Sequence, residues 1–100
     1  MERQVDMNDS EELIKDLKHK DSSVRRHAVE MLGIMGDEKA VDALILVLKD
    51  KNRFVQQEAI AVLGNIGGER LVEPLTKALE EEKDGFVIDS IKKVLEKLRK

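Results

Sequence analysis

Residues 21–51 can be laid over residues 52–82 at an offset of 31, and nine of the 31 pairs are then identical. The identities are Val24/Val55, Ala28/Ala59, Leu32/Leu63, Gly33/Gly64, Gly36/Gly67, Glu38/Glu69, Val41/Val72, Leu44/Leu75 and Leu48/Leu79. The register extends upstream, where Leu13 and Leu17 match Leu44 and Leu48. It extends downstream after one inserted residue, so that Val55, Leu63 and Ile66 fall on Val87, Leu95 and Leu98. An internal period of this length marks a stack of supersecondary units, each unable to bury its apolar face alone. Most of the repeated positions are apolar or glycine, as core and turn positions must be if each unit packs like the next.

Within each unit the apolar residues recur with helical spacing. Val24, Ala28, Met31, Leu32 and Met35 stand at i, i+4, i+7, i+8 and i+11. Val55, Ala59, Val62, Leu63 and Ile66 repeat the pattern, and Val87, Ile91, Val94, Leu95 and Leu98 repeat it again. Each set is one stripe on a helix of about four turns. A second helix type reads Val41, Leu44, Ile45 and Leu48, then Val72, Leu75, Ala78 and Leu79. Gly36-Asp37 and Gly67-Gly68 mark helix ends, with Asp37 a better cap for the next helix than Gly68. Asp21-Ser22-Ser23 and Asp50-Lys51-Asn52 separate hairpin arms, and Ser10 before Glu11 and Glu12 suits a helix start. The spacing predicts six helices, over about residues 9–19, 22–35, 38–49, 53–66, 69–82 and 85–99. They group into hairpins at about 9–36, 37–67 and 68–100, preceded by a flexible lead at 1–8. Pro74 falls in the first turns of the fifth helix, where a missing N–H costs least. The expected fold is all-α: a right-handed α-α superhelix of three helical hairpins in one domain.

The strings DSSVRRHAVEMLGIMGDEKAVDALILVLKD and NRFVQQEAIAVLGNIGGERLVEPLTKALEE share V-x-x-x-A, then L-G-x-x-G, then V-x-x-L. Over about residues 10–100 this resembles the HEAT family, and within it the short repeats named after the phycobilin lyases. The resemblance implies that the V-x-x-x-A helices line a concave face and the preceding helices a convex back. It also implies an Asp in the loop and an Arg after the Val, bridging units in a polar ladder. Only Asp21 and Arg25 keep that pair; Gln56 and Ile88 stand in place of the Arg, so the family's ladder is not carried over to those units. Deoxyhypusine hydroxylases, a HEAT-like family, place adjacent His-Glu pairs in this helix to hold iron. The doublets here are Arg26-His27, Gln57-Glu58 and Asp89-Ser90, and the di-iron site is not carried over.

Composition excludes several other roles. With no cysteine, disulfides and thiolate metal sites are ruled out. The net charge of −3, from 18 basic and 21 acidic residues, offers no bulk attraction to nucleic acid or membrane. The longest apolar run, Ala43 to Leu48, is far short of the ~20 residues a membrane span needs. The chain reads as cytoplasmic.

Removing the core stripes leaves a candidate binding face on the three inner helices, the two with V-x-x-x-A and the third with Val87 and Ile91 at those places. It comprises Ser23, Arg26, His27, Glu30 and Ile34, then Phe54, Gln57, Glu58, Ala61 and Asn65, then Phe86, Asp89, Ser90, Lys93 and Lys97. Phe54 and Phe86 are the only aromatics and occupy equivalent places one unit apart. Exposed, they would be interface anchors; alternatively each ring folds over the neighbouring hairpin. Ser23 at the first such place shows that the fold does not need Phe there. His27 and Glu30 form an i, i+3 pair with Glu58 at the equivalent place of the next helix. That trio could in principle ligate a metal, but it fits a surface His–carboxylate pair better. Neither a catalytic constellation nor a cofactor or metal site is expected.

The function expected from these residues is a non-catalytic protein-interaction module that binds a partner protein through its concave face. The alternative is an accessory or regulatory subunit of an enzyme, such as a phycobilin-lyase-like system. Charged residues on the first helix (Glu11, Glu12, Lys15, Asp16, Lys18) and the last (Lys92, Lys93, Glu96, Lys97, Arg99, Lys100) predict polar ends and a monomer.

Overall fold

A computed structural model describes residues 8–99. All regular structure among them is helical: α1 (Asn8–Asp16), α2 (Ser22–Met35), α3 (Val41–Val47), α4 (Arg53–Ile66), α5 (Val72–Glu81) and α6 (Gly85–Leu98). The expected lead at residues 1–8 lies outside the described residues except for Asn8, which opens α1. α3 and α5 are each preceded by one turn of 3-10 helix, Glu38–Ala40 and Glu69–Leu71, so the spans expected from residues 38 and 69 begin in the tighter form. Pro74 sits in the first turn of α5, where its missing N–H has no intrahelical acceptor to lose.

The ends follow from local chemistry. Gly36 and Gly67 have φ of 63° and 74° and donate their N–H groups to the carbonyls of Leu32 and Leu63 at 3.0 and 2.9 Å. Only glycine takes that conformation without a Cβ clash. Asp21, Asn52 and Asp84 cap α2, α4 and α6 by accepting backbone N–H groups from Ser23, Phe54 and Phe86 at 2.9, 2.8 and 2.8 Å. Asp37 does the same for Lys39, while Gly68 offers no side-chain cap.

α1 packs on α2, α3 on α4 and α5 on α6, giving three hairpins; the hairpins then join through α2 on α4 and α4 on α6. The odd helices form one layer and the even helices the other. The core lies between the layers, and the repeated stripe residues Ala28, Leu32, Leu44, Leu63, Leu75, Val87, Ile91 and Leu95 are buried there.

Two glycines set the approach of the even helices. A Cβ on Gly33 would lie 2.7 Å from Val62 Cγ2, and one on Gly64 would lie 3.0 Å from Val94 Cγ2. Both lie inside α2 and α4, and their role is to let the next helix come close.

Ser10 also differs from expectation. α1 begins at Asn8, and Ser10 is buried with its hydroxyl hydrogen-bonded to Asp37, at the start of the second hairpin.

Candidate protein-binding face and polar ladder

The even helices present one side to the odd layer, two edges to their neighbours and one side to solvent. In α4, Gln56 and Ile60 are buried toward the next hairpin, and Val62 toward the previous one. That leaves Phe54, Ala61 and Asn65 on the open side. Ser23, Glu30 and Ile34 of α2, and Phe86, Lys93 and Lys97 of α6, hold the same positions and are also exposed. Arg26, His27 and Asp89 are exposed at the flanks of this face, while Gln57, Glu58 and Ser90 are half-buried where neighbouring helices meet.

Both phenylalanines stand in solvent: Phe54 is 56 % exposed and Phe86 64 %. Neither ring folds into the core. The Arg53 guanidinium lies 4.8 Å above the centre of the Phe86 ring while its Nε donates to Asp84 at 2.8 Å. Arg53, Asp84, Gly85, Phe86 and Asp89 line an open depression of about 510 Å³ at the start of α6. The sequence reading missed Arg53, because its role depends on a ring 33 residues away. Ile34, at the far end of the face, is 71 % exposed.

Polar contacts cross the face between helices. Arg26 Nε reaches Glu58 Oε1 at 3.6 Å, and the Gln57 amide reaches the Ser90 hydroxyl at 3.4 Å. On α6, Lys93 pairs with Asp89 at 3.4 Å. Glu58 thus answers an arginine across the junction. No three His, Asp or Glu side chains come together to hold a metal among the described residues.

The polar ladder exists in a form that the sequence reading did not foresee. Arg25 does not bridge to Asp21, which is occupied by Ser23 through both the hydroxyl and the N–H. Its Nε and Nη2 hold both carboxylate oxygens of Asp50, in the next hairpin, at 2.8 and 3.1 Å, and its Nη1 donates to the carbonyls of His19 and Lys20. Gln56 continues the series rather than breaking it, since its amide donates to the Leu48 carbonyl at 2.8 Å and to Glu82 at 2.9 Å.

Each acceptor also ties down the cap two residues on. Asp50 accepts the Asn52 N–H and Glu82 the Asp84 N–H; in the first hairpin His19 Nδ1 accepts the Asp21 N–H. At Ile88 the series stops.

Hydrogen bonds shift the caps' acidity. The Ser23 hydroxyl and N–H hold the Asp21 carboxyl below its ordinary range, and the Lys39 N–H with the Ser10 hydroxyl does so for Asp37. At Asp84 desolvation pushes upward, but bonds from Arg53, Val87 and Phe86 together outweigh it and the carboxyl ends below the usual value.

No described helix is long and apolar enough to cross a membrane. No curated protein matches the sequence. The family model for HEAT repeats matches residues 10–96. With that match covering nearly all of three stacked hairpins joined through a Val-x-x-x-Ala helix and its Leu-Gly-x-x-Gly end, the chain belongs to the HEAT-repeat family.

Proposed function

We propose that this chain is a cytoplasmic, monomeric protein-interaction module whose partner lies across the concave, solvent-facing side of α2, α4 and α6. Repeats of this family generally mediate contacts between proteins, and typically without catalysis. The observation that carries the proposal is the exposure of Phe54 and Phe86 at equivalent positions, one hairpin apart on one face. Large rings left in water cost solvation free energy that a partner recovers, and rigid aromatics dominate binding energetics elsewhere. Charge differs along the face. Glu30 lies on α2, and Lys93 and Lys97 on α6, so a bound segment has a preferred direction.

The experiment is affinity capture from native lysate with the full chain, quantified by mass spectrometry. Changing Phe54 and Phe86 together to Ala is expected to reduce recovery of the partner at least about tenfold, with helicity unchanged by circular dichroism. Glu80→Ala, on an exposed site of α5, serves as the control and keeps full recovery. Undiminished capture by the double variant overturns the site.

A further inference from the structure

The two ends of the stack are chemically different. At each internal junction the upstream helix offers three positions spaced by four: Arg25, Val29 and Gly33 at the first, Gln56, Ile60 and Gly64 at the second. The downstream helix answers with a valine against the glycine, Val62 and then Val94. The polar position donates to a loop acceptor of the next hairpin, Asp50 and then Glu82.

α2 carries the downstream set as well. Val24, Met31 and Met35 hold the positions of Val55, Val62 and Ile66, and His19 that of Asp50 and Glu82. Val55 and Val62 are buried, and Val62 lies against Gly33 of the helix upstream. Val24 and Met31 are only half-buried, Met35 is 41 % exposed, and the open Ile34 adjoins it.

α6 lacks the upstream set. Where the first two units have Val29 or Ile60 and then a glycine, it has Lys92 and Glu96, both exposed. A second copy cannot add head to tail, because the junction would bury an unpaired lysine and force a glutamate side chain where both internal junctions hold a glycine against the next helix.

We propose that the outer edge of α2 docks one amphipathic helix of a partner protein, seated as α2 itself is seated on α4. The internal junctions define that helix: an apolar residue, then one turn later a glycine or alanine facing Met31. Methionine side chains adapt readily to an incoming surface. One turn before the apolar residue the helix carries a hydrogen-bond acceptor. Because His19 Nδ1 accepts the Asp21 N–H at 3.0 Å, the neutral ring holds its proton on Nε2 and donates. Asp50 and Glu82 accept at that place, so the rung reverses its polarity in the first hairpin. This surface is distinct from the open face with Phe54 and Phe86.

The probe is a stapled peptide of residues 52–67, with helicity checked by circular dichroism; it carries Gln56, Ile60 and Gly64 in the required spacing. The full chain is labelled with carbon-13 at its methionine methyls and titrated with the peptide. Met31 and Met35 methyl signals are expected to shift and saturate. Ile60→Lys with Gly64→Glu in the peptide weakens binding about tenfold or more, and so does Met31→Glu in the chain, with its thermal midpoint kept. Gln56→Glu in the peptide is tolerated, and Gln56→Arg weakens binding about threefold. Silent Met31 and Met35 methyls, or equal binding by the altered peptide, overturn the proposal. Concentration-dependent shifts of these methyls without peptide also overturn it, since they put a second copy on the edge. Contacts from residues 1–7 to Met31 do the same, since they put the chain's own start there.

Discussion

Arg25 grips Asp50 across the junction of the first two hairpins through two nitrogens at 2.8 and 3.1 Å, with the side chains only 7 % and 9 % exposed. A bidentate pair this enclosed is scarcely screened by salt. Removing one partner strands the other in a dry site, where breaking a buried pair costs about 3–5 kcal/mol. Arg25→Ala also strips the carbonyls of His19 and Lys20 of their donor. It is expected to lower unfolding stability in urea by about 3 kcal/mol, with little dependence on added salt. Arg25→Gln imitates the Gln56 rung and costs about half as much. Equal losses for Ala and Gln would show that an amide cannot serve as a rung here.

Gly33 and Gly64 make a matched pair with different expectations. Alanine gains about 1 kcal/mol over glycine inside a helix. At Gly33 the new Cβ meets Val62 at 2.7 and 3.0 Å, and a β-branched side chain has no easy rotamer to yield into. Overpacking costs about 1–3 kcal/mol, so Gly33→Ala destabilises on balance, and Val62→Ala added to it restores part of the loss. At Gly64 the contacts are 3.0 and 3.3 Å, to a half-exposed Val94, and Gly64→Ala is close to neutral. Thermal melts of the three variants test the order.

The caps make stability depend on acid. Asp21, Asp37 and Asp84 have folded values below their unfolded ones, so each contributes stability that is fully present above the unfolded value of about 3.9. That contribution is lost as pH falls through the lower, folded values. Urea midpoints are therefore expected to hold level from neutral pH down to about 5 and to decline below about 4. Asp21→Asn keeps a capping oxygen and removes the titration, so it shallows the decline while leaving the neutral-pH midpoint nearly unchanged. A decline as steep as in the unaltered chain would rule Asp21 out as a contributor.

The two phenylalanines are separable by stability. Phe54 stands in solvent with no ring partner among the described residues, and Phe54→Ala changes unfolding free energy by no more than about 0.5 kcal/mol. Phe86 carries Arg53 at 4.8 Å, and Phe86→Ala costs about 0.5–1 kcal/mol through the lost cation–π contact. Chemical denaturation measures both, and losses this small keep the capture experiment with the double variant interpretable.

What the sequence alone determined is what depends on neighbours in the chain. The stripe of Val55, Ala59 and Leu63 and its copies announced the even helices, and Gly36 and Gly67 announced their ends, because helical period and left-handed turns are set within a few residues. The open positions followed by subtraction, so the face with Phe54, Asn65 and Lys97 was legible too. Whether the rings were core or surface was not, since that depends on how far the next hairpin overhangs. Only the tertiary structure decided who meets whom across a junction. Arg25 takes Asp50 rather than Asp21, Gln56 takes up a rung by reaching Glu82, and Gly33 faces Val62. It also left the Met31–Met35 edge of α2 open. Such pairings are fixed by the offset and separation of whole hairpins, which the packing of all the side chains at the junction sets together and no local spacing encodes.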